Sequence, residues 1–70
     1  MDRRKIAERL VKLRGKRTQA EVAEAIGVSQ SAYSMYETGE RIPRDETKIR
    51  IAQYYKRTVN SIFFADTPTK

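Results

Sequence analysis

The sequence has no cysteine and no histidine, and only three glycines and two prolines among its 70 residues. Without cysteine the chain forms no disulfide, and without either residue it lacks the thiolate and imidazole ligands of most zinc sites. The same absences remove the commonest catalytic base and the thiol nucleophile. We therefore expect no metal, no cofactor and no enzymatic activity, and a stability that depends on packing and helix capping.

A long apolar stretch is also missing. No run approaches the roughly 18 apolar residues that a transmembrane helix needs, and the first residues, MDRRKIAERL, lack the apolar centre of a signal peptide. We expect a cytoplasmic protein that makes no membrane contact. The length predicts a single domain over residues 1–65, followed by a frayed tail over residues 66–70.

Positive charge is concentrated at one end of the sequence. Residues 1–17 contain eight lysines or arginines against two acidic residues, whereas residues 18–70 contain seven of each sign, so the whole net charge of +6 lies in the first segment. Such a segment suits a position beside a phosphate backbone. A solvated helix face that only keeps the chain soluble explains the charge equally well.

Apolar residues recur at helical spacing along the chain, and no segment alternates apolar and polar residues as a strand does. In the first predicted helix, over residues 3–14, Ile6, Leu10 and Leu13 form one apolar stripe with Ala7 and Val11 beside it. The same reasoning predicts four more helices, over residues 19–26, 30–37 and 45–55 and in a short segment containing Val59, Ile62 and Phe63. The predicted fold is an all-α, compact five-helix domain.

Two of these helices form a closely linked pair over residues 18–37. Thr18 and Glu21 have the T-x-x-E spacing of a capping box, and Ser29 is placed to cap the next helix. Gly27 lies between them, where a residue with positive φ ends a helix at little cost. A helix, a turn containing glycine and a second helix form the helix-turn-helix pattern, whose second helix can enter the major groove of DNA.

The first residues of the second helix of such a pair point at base edges. The predicted base-contacting residues are Gln30, Ser31, Ser34 and Met35. A glutamine can make two hydrogen bonds to adenine, serine hydroxyls can bond to any base, and a methionine can pack on a thymine methyl group. An ordinary solvated polar face is the alternative interpretation of the same residues.

Polar and basic residues that flank this helix are candidates for contacts with phosphates. Gln19 begins its helix, where its side chain and the free amides can bind one phosphate together. The other predicted phosphate contacts are Thr38, Arg41 and Arg44 after the helix, and Lys16 and Arg17 before the pair. The alternatives are a neutral first-turn residue for Gln19 and solvated loop charges for the arginines.

Three further residues of the pair are predicted to be structural. Tyr33 and Tyr36 could stack on unpaired bases, but their three-residue spacing favours core anchors. Glu37 would repel phosphate if it faced DNA. We therefore expect it to pair inward with Arg14 or Lys12 as a brace.

The sequence resembles the Xre/Cro/phage-repressor type of helix-turn-helix domain over about residues 5–64. The matching positions fall in one register: Leu13-Arg14, Thr18-Gln19, Glu21-Val22-Ala23, Gly27-Val28-Ser29, Tyr33-Ser34, Tyr36-Glu37, Gly39, Arg41, Pro43, Glu46-Thr47, Ile51-Ala52 and Ile62-Phe63. The resemblance implies a λ-repressor-like domain that binds double-stranded operator DNA, usually as a symmetric homodimer, to control transcription. It predicts a repressor that inserts helix 30–37 into the major groove.

The resemblance also implies roles for single residues. In that family the positions matching Gln19 and Thr38 touch phosphates, and those matching Gln30, Ser31 and Met35 meet bases. The position matching Glu37 typically pairs with an arginine of the first helix, for which Arg14 is the best match here.

This sequence departs from the family pattern in three places. The link from Arg14 to Thr18 is two residues shorter than is common. Arg44 stands where a capping serine is frequent, which leaves Asp45 to cap or charge the fourth helix. Lys56-Arg57 replaces a frequent Gly-Val, so we expect a different end to that helix and the loss of one core contact.

Two other binding functions remain open at this point. An antitoxin that controls its own transcription would bind DNA together with a protein toxin. An interaction module, for example for RNA, would use exposed tyrosines. An enzyme is disfavoured because the sequence also lacks a glycine-rich phosphate loop and has little room for a pocket.

Overall fold

The computed structural model describes residues 2–65, so the predicted tail over residues 66–70 lies outside the described residues. Five α-helices follow one another: α1 (Arg3–Arg14), α2 (Gln19–Ile26), α3 (Gln30–Thr38), α4 (Asp45–Tyr55) and α5 (Val59–Phe63). The described residues contain no strand. The predicted all-α, five-helix fold is confirmed, and α3 ends one residue later than expected.

Local capping explains why α2 and α3 begin and end where they do. The Thr18 hydroxyl accepts from the Glu21 amide at 3.0 Å, and the Glu21 carboxylate accepts from the Thr18 amide at 3.3 Å, which completes the capping box. The Ser29 hydroxyl accepts from the Ala32 amide at 3.0 Å. Gly27 ends α2 with φ of 79°, a left-handed conformation that glycine adopts without a Cβ clash.

A single core joins all five helices. Every helix contributes buried apolar side chains to it, including Leu10 of α1, Val22 of α2, Tyr33 of α3, Ile51 of α4 and Phe63 of α5, each no more than 1% exposed. The two tyrosines of α3 lie in this core rather than on the surface, with their rings edge to face at 6.2 Å. The prediction of core anchors is therefore confirmed.

Helix α1 differs from its prediction in one residue and gains an unexpected cap. Val11 was expected beside the apolar stripe, but it is 43% exposed and lines an open hollow beside Glu37 and Thr38 of α3. The carboxylate of Asp2 accepts from the amides of Arg4 and Lys5 and caps the helix. An aspartate directly before an apolar helical pattern is a start signal that sequence reasoning missed.

Helix α4 begins and ends without the usual residues. Arg44 is the N-cap and its side chain makes no capping hydrogen bond, while Asp45 and Glu46 lie in the first turn and complement the helix dipole. At the other end Lys56 takes the left-handed conformation, with φ of 59°, and its amide donates to the carbonyls of Ala52 and Gln53. The helix therefore ends as others in this chain do, but with a lysine where a glycine is favoured.

Candidate nucleic-acid interface

The first turns of α3 present a neutral polar surface. Gln30 and Ser31 are exposed, and Ser34 and Met35 are half-buried. Gln19, Gln30, Ser31 and Ser34 line one shallow hollow of about 360 Å³ at the start of the two helices. The structure thus brings three of the four predicted base-contacting residues together with the predicted phosphate-contacting residue of α2. Met35 does not line this hollow.

Behind this surface, Glu37 is held by two hydrogen bonds. The Arg14 Nε donates to Glu37 Oε2 at 2.8 Å, and the Gln19 side-chain amide donates to Oε1 at 2.8 Å. The Glu37 side chain is 3% exposed, so the carboxylate is satisfied within the protein. Arg14 rather than Lys12 is its partner, and the short link after Arg14 does not prevent the contact.

The electrostatic surroundings keep Glu37 ionised. Burial alone would raise the pKa of its carboxyl group, but the hydrogen bonds from Arg14 and Gln19 outweigh burial and hold the pKa below its ordinary value. The same pairing raises the pKa of Arg14. Glu37 is therefore a fixed negative charge that connects α1, α2 and α3.

A pair of tyrosine hydroxyls extends this polar cluster to α4. The hydroxyl groups of Tyr33 and Tyr55 are 2.7 Å apart in the core. Burial raises the pKa of both tyrosines, and the nearby charge of Glu37 raises them further. Both hydroxyls therefore stay protonated, so one can donate to the other.

The contact with Glu37 changes how Gln19 can act. Its amide group faces the carboxylate, and the side chain is half-buried instead of extending into solvent. A side-chain amide has two N–H donors and one carbonyl oxygen, so one N–H remains for an external acceptor. The bond to Glu37 therefore fixes the orientation of the Gln19 side chain at the edge of the hollow.

The two basic residues before α2 have different surroundings. Lys16 is exposed. Arg17 donates to the carbonyl of Leu13 at 3.0 Å, and its guanidinium lies 5.4 Å from the ring centre of Tyr54 and 5.7 Å from that of Tyr55. Arg17 is also exposed, so its guanidinium packs beside the rings of α4 and keeps N–H groups accessible to solvent.

The predicted phosphate-contacting residues after α3 also differ in their surroundings. Arg41 and Arg44 are exposed and line one hollow of about 360 Å³ with Tyr36 and Thr47. The Thr38 hydroxyl donates to the carbonyl of Met35 at 3.1 Å within its own helix. The two arginines are therefore placed together, whereas the hydroxyl of Thr38 is already used.

Three of the arginines at the start of the chain contact three different helices. Arg14 faces α3, Arg17 packs on α4, and Arg9 donates to the carbonyl of Ile62 in α5 at 2.6 Å. Lys12 and Lys16 remain exposed. The sequence placed the charge correctly along the chain, but three of its arginines are tied to three different helices.

Sequence reasoning also missed a buried lysine in α4. Lys48 is 7% exposed, with its Nζ 5.0 Å from the ring centre of Phe64, 6.0 Å from that of Phe63 and 3.5 Å from Asp45. Lysine is rarely buried, and the signal that would have located it is its position on the apolar stripe of α4. Lys48 ties α5 to α4.

Comparison with known proteins identifies the family. Residues 5–62 match the family described as helix-turn-helix, HTH_3, which is most of the chain. The chain belongs to the Cro/C1-type helix-turn-helix family. This is a family of DNA-binding regulators and not of enzymes.

One curated relative of this helix-turn-helix chain is the cryptic phage CTXphi transcriptional repressor RstR of Vibrio cholerae serotype O1 (strain ATCC 39315 / El Tor Inaba N16961). The two are 37% identical over 60 residues, which is 83% of this chain and 54% of RstR. The chain thus spans about half the length of this relative. No solved structure matches it. Within residues 2–65, no helix is long and apolar enough to cross a membrane.

Proposed function

We propose that this protein is a sequence-specific transcriptional repressor that inserts α3 into the major groove of operator DNA. The observation that carries the proposal is the hollow at the start of α2 and α3, where Gln19, Gln30, Ser31 and Ser34 converge. Neutral hydrogen-bonding groups there suit base edges, which are distinguished by their pattern of donors and acceptors. The similarity to RstR, a transcriptional repressor, supports a free-standing repressor over an antitoxin.

Affinity comes from residues at the start of α2, beside it and after α3. The proposed phosphate contacts are Gln19, Thr38, Arg41, Arg44, Lys16 and Arg17, with the Thr38 hydroxyl donating to a phosphate in place of the Met35 carbonyl. The proposed base contacts are Gln30, Ser31, Ser34 and Met35. The buried pair of Arg14 and Glu37 braces α3 against α1 behind them. Phosphate contacts fix the register of the helix on DNA, and base contacts then discriminate among sequences.

The protein acts as a symmetric homodimer on DNA in this proposal, within the cytoplasm. A two-fold dimer places its two recognition helices in successive major grooves on one side of the duplex. The operator is then an inverted repeat whose half-sites lie about 34 Å apart, one helical turn. Selection of bound sites from random DNA tests specificity, symmetry and spacing together, and the absence of an enriched motif would contradict the proposal.

Two substitutions separate base contacts from phosphate contacts. Gln30→Ala relaxes the preference at one base pair of the selected motif, whereas Gln19→Ala weakens binding to all sequences alike. The effect of Gln30→Ala on its base pair is about 1–3 kcal/mol. If the Gln30→Ala variant selects the same motif as the wild type, Gln30 does not contact a base.

Salt dependence tests the electrostatic part. The logarithm of the binding constant falls linearly with the logarithm of salt concentration, with a slope of about −0.9 for each phosphate neutralised. Arg41→Gln lowers the magnitude of that slope by about one. Lys56→Gln, which removes an exposed charge outside the proposed contacts, serves as the control and leaves the slope unchanged.

A further inference from the structure

A basic groove between α1 and α5 has no part in the proposed DNA contacts. It has a volume of about 320 Å³ and is lined by Arg9, Lys12, Leu13, Arg57, Ser61 and Ile62. We call it the α1/α5 groove. Lys12 and Arg57 are exposed and have no partner among residues 2–65, while Arg9 is fixed by its bond to the Ile62 carbonyl. The groove combines an apolar floor with a positively charged rim.

The groove lies on a different side of α1 from α3. Arg14 points to Glu37 of α3, whereas Arg9, five residues earlier, points to α5. At 3.6 residues per turn, five residues correspond to directions about 140° apart around the helix axis. Arg9 and Arg14 therefore point to different sides of α1, whereas Lys12 lines both the groove and a hollow with Glu37 and Thr38.

An exposed ridge of α4 has the opposite chemical character. Asp45, Glu46, Ile49 and Gln53 are all exposed and fall within about 100° around the helix. We call this the α4 ridge. Ile49 is 50% exposed, one of two large apolar side chains so exposed in the described part of the chain. An acidic start and an apolar centre thus lie side by side.

The basic residues near the ridge are directed elsewhere. Arg50 reaches toward Gly27, and Arg44 lines the hollow with Tyr36. Lys48 is buried against α5 and reaches Asp45 at 3.5 Å. Glu46 has no partner among the described residues, so it carries the unpaired negative charge of the ridge.

We propose that the α4 ridge of one molecule docks in the α1/α5 groove of a second copy of this chain. Ile49 packs on the half-buried Leu13, while Glu46 meets Lys12 and Arg57. The argument is complementarity of charge and of apolar surface between two exposed regions of the same molecule. This contact joins two different surfaces, so it is separate from the two-fold contact of the proposed dimer, although both can exist in one assembly.

The contact is weak and depends on salt. The groove and ridge are small compared with the roughly 1,200–2,000 Å² of stable interfaces. Exposed charges attract over about 10 Å at 0.1 M ionic strength, and less at higher salt. Association through the ridge is therefore expected at high protein concentration and low salt, or where DNA holds two molecules close together.

Sedimentation velocity without DNA tests the proposal independently of operator binding. The wild-type chain is compared with a groove variant, Lys12→Glu with Arg57→Glu, and a ridge variant, Glu46→Lys with Gln53→Lys. Each variant alone needs at least about tenfold more protein to form the species larger than a two-fold dimer, because like charges then face each other. An equimolar mixture of the two variants regains association, because the unaltered ridge of the groove variant then meets the unaltered groove of the ridge variant, and the two reversed surfaces also match each other.

Substitution of apolar residues supplies a matched control. Ile49→Ser weakens the association, whereas Val11→Ser, which removes the other exposed apolar side chain, leaves it unchanged. Far-UV circular dichroism confirms that each variant keeps the helical content of the wild type. Association that survives both charge reversals, a mixture that fails to regain it, no association in the wild type, or an equal effect of Val11→Ser would each overturn the proposal.

Discussion

The helices of the pair α2–α3 begin and end at different kinds of residue from those that begin and end α4. The pair has a side-chain cap at the start of each helix and a glycine with positive φ at each end. Helix α4 starts at an arginine without a capping hydrogen bond and ends at a lysine with positive φ. Local sequence signals specify the pair, whereas the position of α4 must depend on contacts with the rest of the fold.

What holds α4 is its buried side. Ile51 is fully buried, Ala52 is 3% exposed, and Tyr55 bonds to Tyr33 in the core. Packing of an amphipathic face contributes more to a short helix than propensity or caps do. The difference suits a molecule in which α2 and α3 present the proposed DNA surface and α4 closes the core behind them.

Loss of core packing in α4 has the largest expected effect. Ile51→Ala lowers the free energy of unfolding by about 2–5 kcal/mol, because it removes buried methyl groups and leaves a cavity. Urea unfolding measures this change. Ile49→Ala removes the same side chain from the exposed side of the same helix and changes stability by less than about 0.5 kcal/mol. Equal effects would show that packing does not distinguish the two sides of α4.

Glu37 tests whether the capped pair also depends on the rest of the domain. Glu37→Gln removes the charge that holds Arg14 and lowers the free energy of unfolding at neutral pH by about 1–3 kcal/mol. Since its pKa is depressed in the folded state, this stabilisation is fully present above the ordinary value of 4.5. It is lost as pH falls from there through the lower pKa of the folded state.

The pH dependence provides the control for that prediction. The thermal unfolding temperature of the wild type should fall below the ordinary pKa of a glutamate, and that of the Glu37→Gln variant should depend less on pH in this range. Glu40→Gln, at an exposed position, should retain the wild-type dependence. An unchanged pH profile in Glu37→Gln would mean that the ion pair contributes nothing to folding.

Sequence patterns predicted the fold well because its signals are local. The capping box of Thr18 and Glu21, the cap at Ser29 and the glycine turn all occur as expected. The apolar stripe failed only at Val11, where helical periodicity cannot tell which neighbouring helix covers the edge of a face. Which side is covered depends on how α1 crosses α3 and α5, and that is a property of the whole fold.

Side-chain partners across helices were harder to predict. Glu37 was expected to find a basic partner, but the sequence left Arg14 and Lys12 open, and it did not predict that Gln19 would share the carboxylate. The packing of the Arg17 guanidinium beside Tyr54 and Tyr55 was not predicted either, while its contact with phosphate stays a prediction. Long side chains can reach several neighbours, so their choice depends on distances that only the folded chain fixes.

A cap substitution at each helix start sharpens the comparison. Ser29→Ala removes the bond to the Ala32 amide and lowers the free energy of unfolding by about 1 kcal/mol. Arg44→Ala removes no cap, because the arginine makes no such bond, and leaves stability nearly unchanged. Chemical denaturation of the two variants measures both. A loss as large for Arg44→Ala as for Ser29→Ala would mean that the start of α4 is held by its arginine after all.

The smallest expected effect is a gain at the end of α4. The left-handed conformation that Lys56 adopts costs a residue with a Cβ roughly 1–2 kcal/mol. Glycine avoids this strain but loses about 0.5–1 kcal/mol of stability, because it has more conformational freedom in the unfolded chain. Lys56→Gly should therefore raise the free energy of unfolding by about 0.5–1 kcal/mol. Lys56→Ala removes the same charge but keeps the strain, so the difference between the two variants in urea unfolding isolates the backbone contribution. If the glycine variant were no more stable than the alanine variant, the end of α4 would carry no backbone strain. The ends of α4 and of the glycine-terminated pair would then not differ in energy.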